Sequence, residues 1–238
     1  MRVRRLVVLA LVALAACGCG SSRGASTSDA AGTTSAAPRT HVDLAAAARR
    51  LLAAGSAHVV YDLTVEPPRG SPLQFVTHAD GDFDFARGNA AYVATTPLGE
   101  ASRTIVIGRR RWTRSLGGGA AGAGNAPTGW RRASGADLSP AGVASVVPLA
   151  AEGARDVRRL GPDQYEARIA AARTPARARS YLEGVFGAPT GLAQFVLDRR
   201  GRLVVLRLVN TTALPGHSLT YQYAYTALGE RVRVQAPR

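Results

Sequence analysis

An α+β domain, made of one large curved antiparallel sheet with a few short helices covering its concave face, is predicted by three observations on this sequence. Apolar residues at every second position recur in run after run, separated by clusters of Gly, Pro and Asp. Several of those clusters are tight enough for hairpins, so successive runs read as an antiparallel meander. Helical spacing is confined to short stretches between them.

With 238 residues, 46% of them hydrophobic, the chain can bury a full core. Its length suits one domain of moderate size plus a non-globular leader. The formal net charge is +14, and all 30 Lys+Arg positions are Arg. In a background rich in Ala, Gly and Pro, this looks like GC-rich coding as much as selection for charge. The basic balance favours anionic lipid headgroups or another polyanion. A nucleic-acid surface needs Arg along one element with aromatic residues between. Only Arg109, Arg110 and Arg111 beside Trp112 approach that, at an expected hairpin, and an exported protein does not meet nucleic acid, so no such partner is expected.

Residues 1–16 begin with Arg2, Arg4 and Arg5 and continue as an apolar run over 6–16, the pattern of a secretory leader. The run is too short to span a bilayer as a mature helix. Leu14, Ala15, Ala16 and Cys17 follow directly and read as a bacterial lipobox, in which the thiol of Cys17 receives diacylglycerol and becomes the new N-terminus. A redox or metal role for Cys17 with Cys19 is the poorer reading: one intervening residue gives bad disulfide geometry, and no further Cys or nearby His completes a metal shell. Cys19 is the weaker candidate for lipid attachment, because Cys17 would then stand inside the recognition sequence. Two or three acyl chains, at roughly 0.8 kcal/mol per buried methylene, anchor a protein for practical purposes. The expected location is the extracytoplasmic face of the cell membrane. Residues 17–40, rich in Gly, Ser, Thr and Ala, form a flexible tether of roughly 25 to 30 Å root-mean-square span.

The domain proper is residues 41–238. Thr40 with Asp43 resembles a capping box, and Leu44, Ala47, Ala48, Leu51 and Leu52 recur at helical spacing up to Gly55. The period then changes to two: Val59, Tyr61, Leu63 and Val65 share one face, opposite His58, Asp62 and Thr64. Pro67, Pro68 and Gly70 turn the chain. In 74–85 the alternation returns, with Phe75, Thr77, Ala79, Gly81, Phe83 and Phe85 on one face. Its small centre predicts that a helix, or failing that an apolar ligand, approaches there.

Strands at 90–95, 103–107 and 110–114 continue the meander, the last two joined at Gly108. Residues 117–124 are Gly and Ala with little to pack and read as a loop, after which Trp130 returns to the sheet. Ser139 and Pro140 start a short helix carrying Val143, Val146 and Val147 and stopping near Pro148. Strands at 156–160 and 164–169 flank a turn, and Thr174 with Pro175 opens a helix bearing Tyr181, Leu182, Val185 and Phe186. The clearest hairpin joins 192–197 to 203–209 through a turn at 198–201. Its second strand is apolar on both faces and should be central. Leu219, Tyr221, Tyr223 and Tyr225 then alternate with polar residues, and 231–234 is a candidate edge strand.

The Leu-rich first helix running into Ser56, Ala57, His58 and Val59, the strand from Gly81 to Phe85, and Trp130 with Arg131 and Arg132 ahead of Leu138, Ser139 and Pro140 together resemble the actinobacterial LppX/LprA/LprF/LprG lipoproteins. The segment 198–203 and the ending Gly229, Val232, Val234, Ala236, Pro237 extend the likeness over nearly all of 41–238. More distantly the chain resembles the LolA carrier and the sensor RseB. The resemblance implies a LolA-like half-barrel whose concave face, partly plugged by helices, holds acyl chains. It implies a lipid or glycolipid ligand and lipid binding or transfer in the envelope, with an envelope sensor or protein-interaction module of the same fold as the alternative. Candidate cavity-lining residues are Val59, Tyr61, Leu63, Phe75, Phe83, Phe85, Ile105, Trp112, Leu206 and Tyr221.

Catalysis is not expected. His41, His58, His78 and His217 are scattered, and no nucleophile elbow, phosphate loop or His-Glu-x-x-His pair is present. Asp80, Asp82 and Asp84 resemble the start of a calcium loop, but Phe85 and Ala91 stand where Gly and Glu are required, so a solvated strand face explains them better. A monomer without cofactor or metal is the expectation.

Overall fold

The structure, a computed structural model, describes residues 42–66, 75–117, 129–133, 143–211 and 217–237. All of these belong to one compact unit, His41–Arg238. The expected leader and tether with Cys17, the turn at 67–70, the Gly/Ala loop beyond Gly117 and the helix start at Ser139 lie outside the described residues.

The first helix, α1 (Leu44–Ala53), is capped by Asp43, whose Oδ1 accepts the Ala46 N–H at 2.8 Å. Thr40, expected to cap, lies outside the described residues. Leu44, Ala47, Ala48 and Leu51 face the core. Gly55 ends the helix, and its carbonyl accepts the Phe85 N–H at 2.9 Å, which ties the start of the sheet to the end of its second strand.

The strands are β1 (Ser56–Glu66), β2 (Phe75–Asp84), β3 (Asn89–Thr95), β4 (Ala101–Ile107), β5 (Arg110–Gly117), β6 (Arg131–Ala133), β7 (Ala154–Gly161), β8 (Gln164–Ala170), β9 (Thr190–Leu197), β10 (Leu203–Asn210) and β11 (Ser218–Thr226). They form one 11-stranded sheet in the order β6-β5-β4-β3-β2-β1-β11-β10-β9-β8-β7. Every pairing is antiparallel, and the sheet is curved and unclosed, the α+β class that the sequence predicts. Two local meanders, β1 to β6 and β7 to β11, meet along a seam where the first strand pairs with the last and Tyr61 stands opposite Tyr223. On the inner face Leu206, Leu208 and Phe195 are fully buried. Each stabilises the fold by about 1.5 to 3 kcal/mol relative to leaving it in water. β10 is central, as its two apolar faces predict.

Three expectations change. The small centre of β2 admits neither helix nor ligand at Gly81: a Cβ there would strike the Ala91 carbonyl and Tyr92 of β3, so it is the neighbouring strand that presses in. The expected helix is present at Val143 and Ala144 but does not simply stop near Pro148: a buried 3-10 segment, Val147–Gly153, follows it, with Pro148 in the first turn. A proline costs nothing there, since the first N–H groups of a helix have no internal partner. Residues 231–237 form no strand. The chain after β11 lies beside Ser56, whose Oγ donates to the Glu230 carbonyl at 2.6 Å, and β1 already pairs on both edges.

The second helix, α2 (Ala176–Phe186), ends at Gly187 in the left-handed conformation. The Thr174 hydroxyl donates to the Ala171 carbonyl at 2.7 Å instead of capping it. Asn210 of β10 donates its side-chain amide to the Val185 carbonyl, which holds the end of α2 against the sheet. Among the described residues no helix is long and apolar enough to cross a membrane.

Candidate functional site

A cavity of about 430 Å³ opens between α2 and the seam of the sheet. The sheet supplies Tyr61 from β1, Thr77 from β2, and Tyr221 and Tyr223 from β11. The β1 register sets Tyr61 opposite Tyr223, and Leu63 opposite both Thr77 and Tyr221, so these side chains share the inner face. Opposite them α2 presents Ser180, Tyr181, Gly184 and Val185, and Val143 closes one end.

The walls are largely aromatic. The Tyr61 and Tyr223 rings lie 4.9 Å apart between centroids, tilted by 41°. The Tyr181 and Tyr223 hydroxyls share a hydrogen bond of 2.7 Å across the cavity wall. In such a pair one hydrogen is consumed and the other is left to donate. Burial pushes the Tyr61, Tyr181, Tyr221 and Tyr223 phenols above their ordinary value, as it does Tyr225 beneath them. The phenols are therefore neutral at physiological pH. The site offers hydrocarbon contact, aromatic faces and a spare O–H donor, a chemistry of binding.

Gly184 is the informative position. It stands in the last turn of α2, exposed at the edge of the cavity. No heavy atom lies within 4 Å of the place a Cβ would take.

Of the sequence candidates, Tyr61 and Tyr221 line the cavity. Leu63 is half-buried beside them on the same face. Val59 and Leu206 are buried core, Phe83 is stacked on Tyr92 with centroids 6.0 Å apart, and Phe85 is edge-on to Tyr225 at 6.3 Å. The register puts Phe75 on the inner face opposite Val65, but its side chain is outside the described residues. Ile105 and Trp112 pair with each other on the opposite face, because Thr104 and Thr113, one residue away on each strand, share the row of Val59, Gly81 and Tyr92. They cannot reach this cavity. The lining residues that sequence reasoning missed are Thr77, Val143, Ser180, Tyr181, Gly184, Val185 and Tyr223. Tyr223 was recoverable from its place between Tyr221 and Tyr225, and Tyr181, Gly184 and Val185 from their i, i+3, i+4 spacing on one helix face.

On the outer face, Asp80 and Asp82 flank His58, at 3.2 Å from Nε2 and 2.9 Å from Nδ1. Asp84 departs from the expected solvated row and is buried. Burial raises its pKa, but the backbone N–H and guanidinium of Arg87 outweigh it and hold the carboxyl below its ordinary value. Among the described residues no group of three or more His, Cys, Asp or Glu is placed to hold a metal ion.

No family model and no curated protein sequence matches the chain. Among solved structures it is similar to the Mycobacterium tuberculosis lipoprotein LppX, at 19% identity over 81% of this chain and 98% of that one, with a TM-score of 0.45. It is also similar to a LolA superfamily protein from Nitrosomonas europaea, at 13% identity over 75% of this chain and 91% of that one, TM-score 0.28. A putative outer membrane lipoprotein-sorting protein domain from Vibrio parahaemolyticus shows 9% identity over 77% of this chain and 92% of that one, TM-score 0.32.

Proposed function

We propose that this protein is a non-catalytic binder of a single acyl chain, fastened to the extracytoplasmic face of the cell membrane through lipid on Cys17. The observation that carries the binding reading is the cavity itself, walled by Tyr61, Tyr181, Tyr221 and Tyr223 and left open at its exposed Gly184 edge. Ligand pockets run roughly from 300 to 1,000 Å³, and about 430 Å³ lies at the small end of that range, room for one chain. At roughly 0.8 kcal/mol per methylene, sheltering a chain of about sixteen methylenes supplies up to about 13 kcal/mol before ordering costs. The unspent hydrogen of the Tyr181–Tyr223 pair suits the carbonyl of an ester or a protonated acid at the end of the chain.

Native mass spectrometry and solvent extraction of the purified protein test this. Wild type should emerge with a co-purified lipid, Gly184→Ala should keep it, and Gly184→Phe, which sets a ring at the edge of the cavity, should emerge empty. Wild type that is consistently empty, or a Gly184→Phe protein with undiminished lipid, overturns the proposal and leaves a sensor or interaction module on the same fold. The anchor is tested separately: palmitate labelling should disappear in Cys17→Ser, and labelling that persists refutes that site.

A further inference from the structure

The outer face of the sheet changes character toward the β6 edge. Near its centre the charged side chains answer one another: His58 meets Asp80 and Asp82, and His78 meets Asp62. On β4 to β6 they do not. Arg103, Arg110, Arg114 and Arg132 occupy the same face by register, and none has a carboxylate partner among the described residues. Arg103 and Arg114 stand directly opposite each other, a placement in which like charges repel.

Both tryptophans lie in this region. Trp112 shares the face, opposite Arg132, and the Trp130 ring centroid is 5.2 Å from the Arg114 guanidinium carbon. Beside them Val93 and Leu116 are 36% and 46% exposed. Val93, Leu116, Arg103 and Arg114 wall a cleft of about 210 Å³ together with Asp80, whose carboxylate is already paired with His58.

We propose that this end of the sheet is a docking surface for anionic phospholipid headgroups, with a headgroup phosphate seated between Arg103 and Arg114. A phosphate there converts the repulsion of two opposed guanidinium groups into two charge-assisted forks. Tryptophan is at home where an apolar body meets a polar interface, and exposed Val93 and Leu116 find hydrocarbon just below the headgroups. A nucleic acid satisfies the arginines but offers nothing to the aliphatic pair, so a bilayer answers more of the surface. This inference rests neither on the cavity nor on lipid at Cys17.

Trp112 and Trp130 are the chain's only tryptophans, so tryptophan emission, excited selectively over tyrosine, reports this surface alone. The full chain is placed with vesicles of phosphatidylcholine, or of phosphatidylcholine with phosphatidylglycerol, each carrying lipids brominated near the glycerol. Emission reports engagement of the face rather than attachment of the chain, so an anchor that holds the protein to both vesicle types does not mask the result. A blue shift and quenching are expected on phosphatidylglycerol vesicles only, and both should reverse in about 1 M salt, where the screening length is about 3 Å. Arg103→Gln with Arg114→Gln removes the mutual repulsion and should fold, yet lower the ratio of engaged to free face about thirtyfold, about 2 kcal/mol. Arg103→Lys with Arg114→Lys keeps the charge and should keep most of the response. Equal quenching on neutral vesicles, an unchanged response in the double Gln variant, or a stronger response to a single-stranded oligonucleotide than to anionic vesicles overturns the proposal.

Discussion

Two glycines on the inner side of the sheet teach opposite lessons. Gly81, in the middle of β2, is small because β3 presses against it, and any side chain there would meet the backbone of Ala91 and the base of Tyr92. Gly184, exposed in the last turn of α2, has nothing pressing on it at all. The first region is close-packed protein, where a Phe83–Tyr92 stack lies over the small strand centre. The second is a space between a helix and a strand seam, walled by tyrosines. A small residue marks a binding site only where the volume it leaves is still there after the chain has folded.

The largest effect that separates the two regions is expected in alkali. Burial raises the phenols of Tyr61, Tyr181, Tyr221, Tyr223 and Tyr225, all at or beneath the cavity. A group with a raised folded pKa gives stability that is full below its unfolded value, 10.0 for tyrosine, and is lost as pH climbs toward the folded one. Unfolding midpoints in urea should therefore fall steeply above about pH 10, with phenolate absorbance at 295 nm rising together with unfolding. Phenolate appearing in a protein that is still folded would mean that the cavity wall is wet.

Gly81→Ala comes next. Overpacking against backbone costs about 3 kcal/mol, roughly 6 to 12 °C in Tm, and a variant that melts like wild type would erase the contrast between the two glycines. Tyr181→Phe should cost about 1 kcal/mol in denaturant titration, with Tyr223→Phe added to it costing little more, since both remove the same hydrogen bond. Larger additive losses would give each hydroxyl a separate partner. The smallest effect has the opposite sign: Gly184→Ala should raise stability by about 0.5 to 1 kcal/mol, because it improves the helix and meets no atom. Destabilisation by that methyl would show the space to be closed.

Much of the fold was legible because its signals are local. Asp198 and Gly201 between 192–197 and 203–209 form a hairpin with its own turn chemistry: the Asp198 carboxylate accepts the Arg200 and Arg202 N–H groups at 2.9 Å. The first helix, the meander through β5 and the central place of β10 were legible for the same reason. The site was not. Alternation shows that a strand has two faces but does not say which one looks inward when both carry apolar residues, and β4 and β5 do, with Thr104 buried on one side and Ile105 on the other. Alternation alone therefore groups Ile105 and Trp112 with the cavity, although they stand on the outer face, where Trp112 joins the arginine cluster.

By itself the sequence determined the elements, the antiparallel class and the tyrosine ladder of β11, since each depends on residues within a few positions of one another. Only the tertiary structure decided that β11 returns to pair with β1, that α2 lies across that seam, and that the place where they meet is left open. The reason is separation along the chain. Tyr61 and Tyr223 come together through pairing between the first and last strands, and no periodicity within either strand specifies its partner.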